Sequence, residues 1–255
     1  MTQGIAGREL EGRVAIVTGA ARNIGRAIAL DLADAGAAVL VHARGSADLA
    51  AEVVREIEAR GGRARMHLAD ITVPDRAAGT VAAAVEAFGR LDILVNSAAV
   101  RHETAFAAMT LADWHEVLAV ILDGAFLMAQ AAVPHLKGSD GASIVNLGGM
   151  SAHSGSAGRV HVTTAKAGIV GFTHGLAHDL GPDGITVNCV VPGLIGTQRT
   201  HLRGGEPAHH AQHTTLVGRR GKPEEVASLV RYLAGPSARY ITGQTLHVNG
   251  GAFLS

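Results

Sequence analysis

Sulfur chemistry is nearly absent from this chain of 255 residues, which holds a single cysteine, Cys189. A lone thiol forms no internal disulfide, and its place in the strand-like run Ile185–Val191 reads as a small core residue, not a nucleophile. An excess of charge of either sign is also lacking. Lys+Arg and Asp+Glu number 22 each, so there is no electrostatic footprint for nucleic acid or for an anionic membrane surface. The opening dozen residues lack the apolar core of a signal peptide, and no uninterrupted apolar run reaches membrane-spanning length. The cytoplasm is therefore the expected location. Neither an internal repeat nor a Pro/Ser-rich linker divides the chain. What is present is hydrophobic residues at 47%, in a length that suits one domain with a large core.

The apolar residues fall into alternating strand-like and helical stretches. Strands are expected at Val14–Val17, Ala38–His42, Arg63–Leu68, Leu91–Val95, Ser143–Leu147, Ile185–Val191 and Thr245–Val248. Alanine-rich helices are expected between them at Ile24–Ala35, Ala47–Arg60, Asp75–Phe88, Leu111–Leu136, Ala157–Leu180 and Pro223–Leu233. Several strands are apolar throughout, as they are when helices cover both faces of a parallel sheet. The alternation argues a doubly wound, Rossmann-type α/β fold in three layers, one domain over residues 1–255. One stretch breaks the pattern. Gln198 to Lys222 is polar, rich in Gly and His and interrupted by Pro207, which suits a lid over a ligand. Its His209-His-Ala-Gln-His213 cluster has no Cys or acidic companions, so no metal site is expected there.

The most informative segment is Val14-Ala-Ile-Val-Thr-Gly-Ala-Ala-Arg-Asn-Ile-Gly25. An apolar strand turns through small residues into a helix, whose unpaired first-turn N–H groups and dipole favour a pyrophosphate. Gly19 allows the turn, and Gly25 lets the helix lie close to the strand. Asn23 stands between them and tolerates left-handed backbone angles. This turn is similar to the Thr-Gly-x-x-x-Gly-x-Gly turn of the short-chain dehydrogenases/reductases, with Asn23 in the middle glycine's place. Further landmarks come in the order that family has them: Asp70-Ile71, Asn96-Ser-Ala-Ala99, Pro192-Gly-Leu-Ile-Gly-Thr197 and Ile241–Gly251. Among family members the chain most resembles those acting as 3-oxoacyl-carrier-protein reductases. The resemblance implies a nicotinamide dinucleotide held by Gly19, Arg22, Asn23, Ile24, Gly25, Arg44, Asp70, Ile71, Ser97, Ala98, Lys166, Ile195 and Thr197, with Asn96 bracing the sheet. It also implies assembly into a homotetramer or homodimer. Arg44 stands where users of NAD carry an acidic residue, and Arg22 lies in the turn. An arginine fork suits the 2′-phosphate of NADP, with NAD as the alternative.

The resemblance breaks at the chemistry. The family pairs Tyr-x-x-x-Lys on one helix face with a Ser and an Asn, the tyrosine acting as general acid/base. Lys166 is in place, but Val162 stands at the tyrosine's position, Gly149 at the serine's and Ile121 at the asparagine's. Tyr232 and Tyr240 lie far away in sequence. Arg159, Thr163 and Lys166 fall near one helix face, and Arg159 and Lys166 are the expected catalytic pair. Arg101, His102, Ser151 and His153 are nearby candidates, and His161 is rotated off that face. Such a cationic rim suits an anionic small-molecule substrate or a developing negative charge. Three readings follow: an NADP-dependent oxidoreductase with an atypical proton donor, a cofactor-binding protein with little catalysis, and an enzyme on this fold without redox chemistry. Lys166 and Pro192–Thr197 favour the first.

Overall fold

The computed structural model describes residues 7–197 and 214–254. Among them seven strands form one sheet: β1 (Val14–Val17), β2 (Ala38–Ala43), β3 (Arg63–Leu68), β4 (Ile93–Asn96), β5 (Ser143–Leu147), β6 (Thr186–Pro192) and β7 (Thr245–Val248). Their order is β3-β2-β1-β4-β5-β6-β7, and every pairing is parallel. The helices are α1 (Asn23–Asp34), α2 (Ala47–Ala59), α3 (Pro74–Phe88), α4 (Leu111–Leu118), α5 (Gly124–Leu136), the one-turn α6 (Ser151–Ser154), α7 (Val160–Leu180) and α8 (Pro223–Ala234).

Strands β1, β2, β4 and β5 are wholly buried, so both sheet faces need cover and their residues are apolar on both sides. Val17, Val39, Val95 and Val145 pack under α1, α2 and α8. Ile16, Leu40, Leu94 and Ile144 pack on the other face under α3 and α5. The three-layer, doubly wound architecture expected from the alternation is thus the one found. Because the order reverses between β1 and β4, the carboxyl ends of these two strands splay into a crevice, where open α/β sheets bind ligands.

Most expected boundaries lie within one or two residues of those observed, and the departures have local causes. Strand β4 starts at Ile93, not Leu91, because Asp92 is taken up by another network. Its buried carboxylate accepts from the backbone N–H of Val14 at 2.9 Å, from Arg90 Nε at 2.9 Å and from Arg13 at 3.2 Å. Helix α7 begins at Val160, not Ala157, because Gly158 sits at φ +69°, a value that interrupts a right-handed helix. Residues 111–136 do run as one helical rod, but a π-turn at Ala119–Asp123 divides it into α4 and α5. Thr110 starts the rod with a capping box to Asp113. By length and composition this rod could cross a membrane, with a mean hydropathy of 1.8, although only 39% of that window is buried. Its inner face packs on α3 and α7. Of the expected lid, residues 198–213, with His209 and His213, lie outside the described residues. The described end, 214–222, is tied back by the Ile195–Gly221 bridge.

Candidate active site

The turn between β1 and α1 is held from three sides. Gly19 adopts φ +66°, and a Cβ there would meet Ala98 Cα at 2.9 Å. A Cβ on Gly25 would lie 2.3 Å from the Gly19 carbonyl oxygen, so helix and turn touch only because both residues are glycine. Among the described non-glycine residues Asn23 alone has positive φ, at 53°, as its place in the turn demanded. Two supports were not read from the sequence. Thr18 Oγ1 accepts from the N–H groups of Ser97 and Ala98 at 2.9 and 3.0 Å, tying β4 to β1 across the crevice. His42, buried in β2, has Nδ1 3.4 Å from the Gly19 N–H and Nε2 3.0 Å from the Ala69 carbonyl oxygen. A donor on one side and an acceptor on the other set the neutral Nε2–H tautomer. Burial, moreover, lowers the His42 pKa. An inward-facing polar residue in an apolar strand was the available signal.

This turn fits a pyrophosphate. Arg22, the residue before α1, makes no side-chain cap, and the first helical turn holds no acid, so its N–H groups and dipole stay directed outward. Arg22 donates to Ser46 Oγ at 2.6 Å, which brings it to the end of β2 beside the exposed Arg44. Asp70 is turned on its own loop, accepting from the Thr72 hydroxyl and N–H, and the hydroxyl bond lowers its pKa most. Ile71 is buried in the core on the α3 and α5 face of the sheet. Asn96 braces the sheet: its Nδ2 donates to Asn146 Oδ1 at 2.9 Å, and Asn146 Nδ2 donates to Thr173 Oγ1 at 3.0 Å.

Beyond this end lies a cleft open to solvent, between the carboxyl ends of β4, β5 and β6. It brings together Ile24, Arg159, Lys166, Ile195 and Thr197 from the expected site, together with Arg101 and Ser151. Thr163, His102, His153 and His161 are not in its wall. His102 lies 3.3 Å from Glu116, and His153 meets the His247 ring edge-on, centroids 4.7 Å apart, and the Phe253 ring at a tilt. His161 is buried off the cleft. Arg159 precedes the first turn of α7 as its N-cap. The remaining predicted residues follow the ends of β1 (Gly19, Arg22, Asn23, Gly25), β2 (Arg44), β3 (Asp70, Ile71) and β4 (Ser97, Ala98).

Met150 and Val162 give the cleft an apolar floor. Ile121, Met150 and Val162 belong to one buried cluster with Val117, Ala165, Cys189 and Val191. Ile121 occupies the π-turn, a distortion that often marks functional sites. The two glycines after β5 differ in kind. A Cβ on Gly148 would strike Cys189 Sγ at 2.8 Å, whereas one on Gly149 would meet Lys166 Cγ at a comfortable 3.5 Å. Space for a side chain therefore exists at 149 and is unused. Lys166 is buried with its ammonium donating to the Leu147 carbonyl. Burial first, then Arg101 and Arg159, lower its pKa from 10.5 to about 7. The Cys189 thiol is pushed up by burial to about 11 and stays protonated.

A doubly wound parallel sheet with a small-residue turn at its switch point and a lysine in the cleft beyond defines a dinucleotide-binding α/β protein. Comparison with known proteins narrows this class. The family described as Enoyl-(Acyl carrier protein) reductase matches residues 19–252. A 3-oxoacyl-(acyl-carrier-protein) reductase of Synechocystis is 40% identical over 96% of this chain and 98% of its own. A dehydrogenase/reductase of Sinorhizobium meliloti superposes with TM-score 0.91 at 40% identity, covering 97% of this chain and 98% of that one. A short chain dehydrogenase of Burkholderia cenocepacia, solved in complex with NADP, gives TM-score 0.89 at 40% identity over 96% and 99%. The chain belongs to the short-chain dehydrogenase/reductase family.

Proposed function

We propose that this protein is an NADP-dependent oxidoreductase that transfers hydride to a small carbonyl, imine or activated alkene, with Lys166 in the place of the usual proton donor. The observation that carries the reading is the cleft floor. Against the family's pattern Val162, Ile121 and Gly149 fall at the tyrosine, asparagine and serine positions; Val162 and Met150 line the cleft, Ile121 packs in the same apolar cluster, and Gly149 leaves room for a side chain. Only Lys166 of the four catalytic positions keeps a polar group. Relatives named as 3-oxoacyl-carrier-protein reductases, and a neighbour solved with NADP, support the class and the cofactor.

In this reading Gly19, Asn23, Ile24 and Gly25 bind the pyrophosphate, and Arg22 and Arg44 take the 2′-phosphate. Asp70, Ile71, Ser97 and Ala98 line the adenosine side; Ile195, Thr197 and Lys166 hold the nicotinamide side. The bound cofactor supplies the hydride. Lys166, with a pKa near neutrality, holds a proton at Nζ that it can release to a substrate heteroatom and recover from solvent. Arg159 stabilises negative charge as it develops. The protein works in the cytoplasm as a homotetramer or homodimer. Exposed Leu111, Phe126 and Val160 on α4, α5 and α7 support such an assembly.

The test is thermal. NADPH is expected to raise the melting temperature more than NADH, and no shift from either at millimolar concentration refutes the cofactor assignment. NADPH depletion is then followed over ketones, imines and enones, with Lys166→Ala as control. Inertness throughout would make a cofactor-binding protein the better reading, as loss of three catalytic polar groups would allow.

A further inference from the structure

Among the described residues, the wall of the cleft carries charge of one sign. Arg101 leaves the end of β4, Arg159 precedes α7, and Lys166 stands two turns along that helix. Among the described residues lining the cleft there is no Asp, Glu or His. Arg159 and Lys166 are only 8% and 5% exposed. Both arginines have partners within the fold; the sign of the wall, not an unmet bond, points to the ligand. The first turn of α7 adds the positive end of a 21-residue helix on the same side. Among the described residues, Gly148, Gly149, Gly155 and Gly193 leave room beside these groups for a compact molecule.

We infer that the substrate is a small 2-oxo carboxylate, its carboxylate held between Arg101 and Arg159 and its carbonyl oxygen turned to Lys166. This rests on the hydride-transfer reading above. A planar guanidinium matches a carboxylate with two parallel hydrogen bonds, which fixes the neighbouring carbon. That carbon gains a hydride, with its electron pair, from the reduced nicotinamide cofactor. The carbonyl π pair moves onto oxygen, which takes a proton from the Lys166 ammonium. The products are a 2-hydroxy carboxylate, the oxidised cofactor and a neutral amine that solvent reprotonates. The oxidised ring is itself positive, so the anion also screens it from three like charges. Carboxylate and oxidised cofactor should therefore strengthen each other's binding.

Calorimetric titration of the whole protein with oxalate, and with its neutral counterpart oxamide, reads the site without turnover. Oxalate is expected to bind the NADP+-loaded protein at least tenfold more tightly than it binds Arg159→Gln, and oxamide is expected to bind no better than to that variant. Arg101→Gln, an exposed position, reports the same loss if Arg159→Gln fails to fold. Equal oxalate affinity in the wild type and the variants, or a wild type that binds oxamide as tightly as oxalate, overturns the inference. Cofactor binding without oxalate binding refutes the anion site alone; oxalate binding without cofactor binding refutes the redox reading alone. Pyruvate and methyl pyruvate are then compared by NADPH consumption. The arginine variants should lose at least tenfold more kcat/KM on pyruvate than on the ester, and an inert pyruvate with oxalate bound overturns the 2-oxo assignment.

Discussion

At the scale of single residues, the cleft is governed by the environment of Lys166. Its ammonium is disfavoured in the fold, so the folded protein binds fewer protons than the unfolded chain between the two pKa values, about 7 and 10.5. Stability must then rise with pH in that window. The Cys189 thiol works in the opposite sense once pH passes its ordinary 9.0, so the clean interval is pH 7 to 9. We expect urea-unfolding free energies to climb there by up to about 1.4 kcal/mol per pH unit, and Lys166→Met to flatten the climb. A second prediction concerns Arg22 and Arg44. Replacing both with alanine should cut the preference for NADPH over NADH by tenfold or more in binding titrations, since each charge-assisted bond to a phosphate is worth about 1.5–3 kcal/mol.

Elements position these residues, and two places show what they depend on. The turn into α1 closes because no Cβ separates Gly25 from the Gly19 carbonyl. Gly25→Ala should lower stability by about 3 kcal/mol through overpacking and abolish NADPH-induced stabilisation, both read by thermal melting. At the start of β4, Asp92 ties together β1, Arg90, Arg13 and the Ser139 loop. Burial alone would raise its carboxyl pKa, but these hydrogen bonds hold it below the usual range. The associated stability is present above about pH 4 and is lost as pH falls through the folded pKa. Asp92→Asn should cost about 3–5 kcal/mol at neutral pH and weaken the acid dependence of unfolding. The π-turn at Ala119–Asp123 belongs to this scale as well. The sequence places a helix over 111–136, but nothing in its spacing announces the extra residue in one turn, which depends on how α4 and α5 settle against α7.

For the molecule as a whole, the apolar rod of α4 and α5 has an inner face in the core and an outer face bearing Leu111 and Phe126. If copies assemble there, light scattering after gel filtration should give a mass above that of one 26.1 kDa chain, and Phe126→Asp should reduce it. The sequence by itself determined the fold class, the order of elements and the dinucleotide turn. Apolar periodicity and glycine conformation are local properties, legible wherever strand, turn and helix follow each other along the chain. Its resemblance to the family also raised the proposal that Val162, Gly149 and Ile121 take the places of catalytic polar groups. Only the tertiary structure decided that Ile121 packs with Met150 and Val162, the last two lining the cleft, and that Arg101, Arg159 and Lys166 share one wall while Thr163 and the nearby histidines do not. Those residues come from segments far apart in the chain. Burial and summed charge depend on which side chains the sheet brings face to face, and no spacing along one helix can encode that.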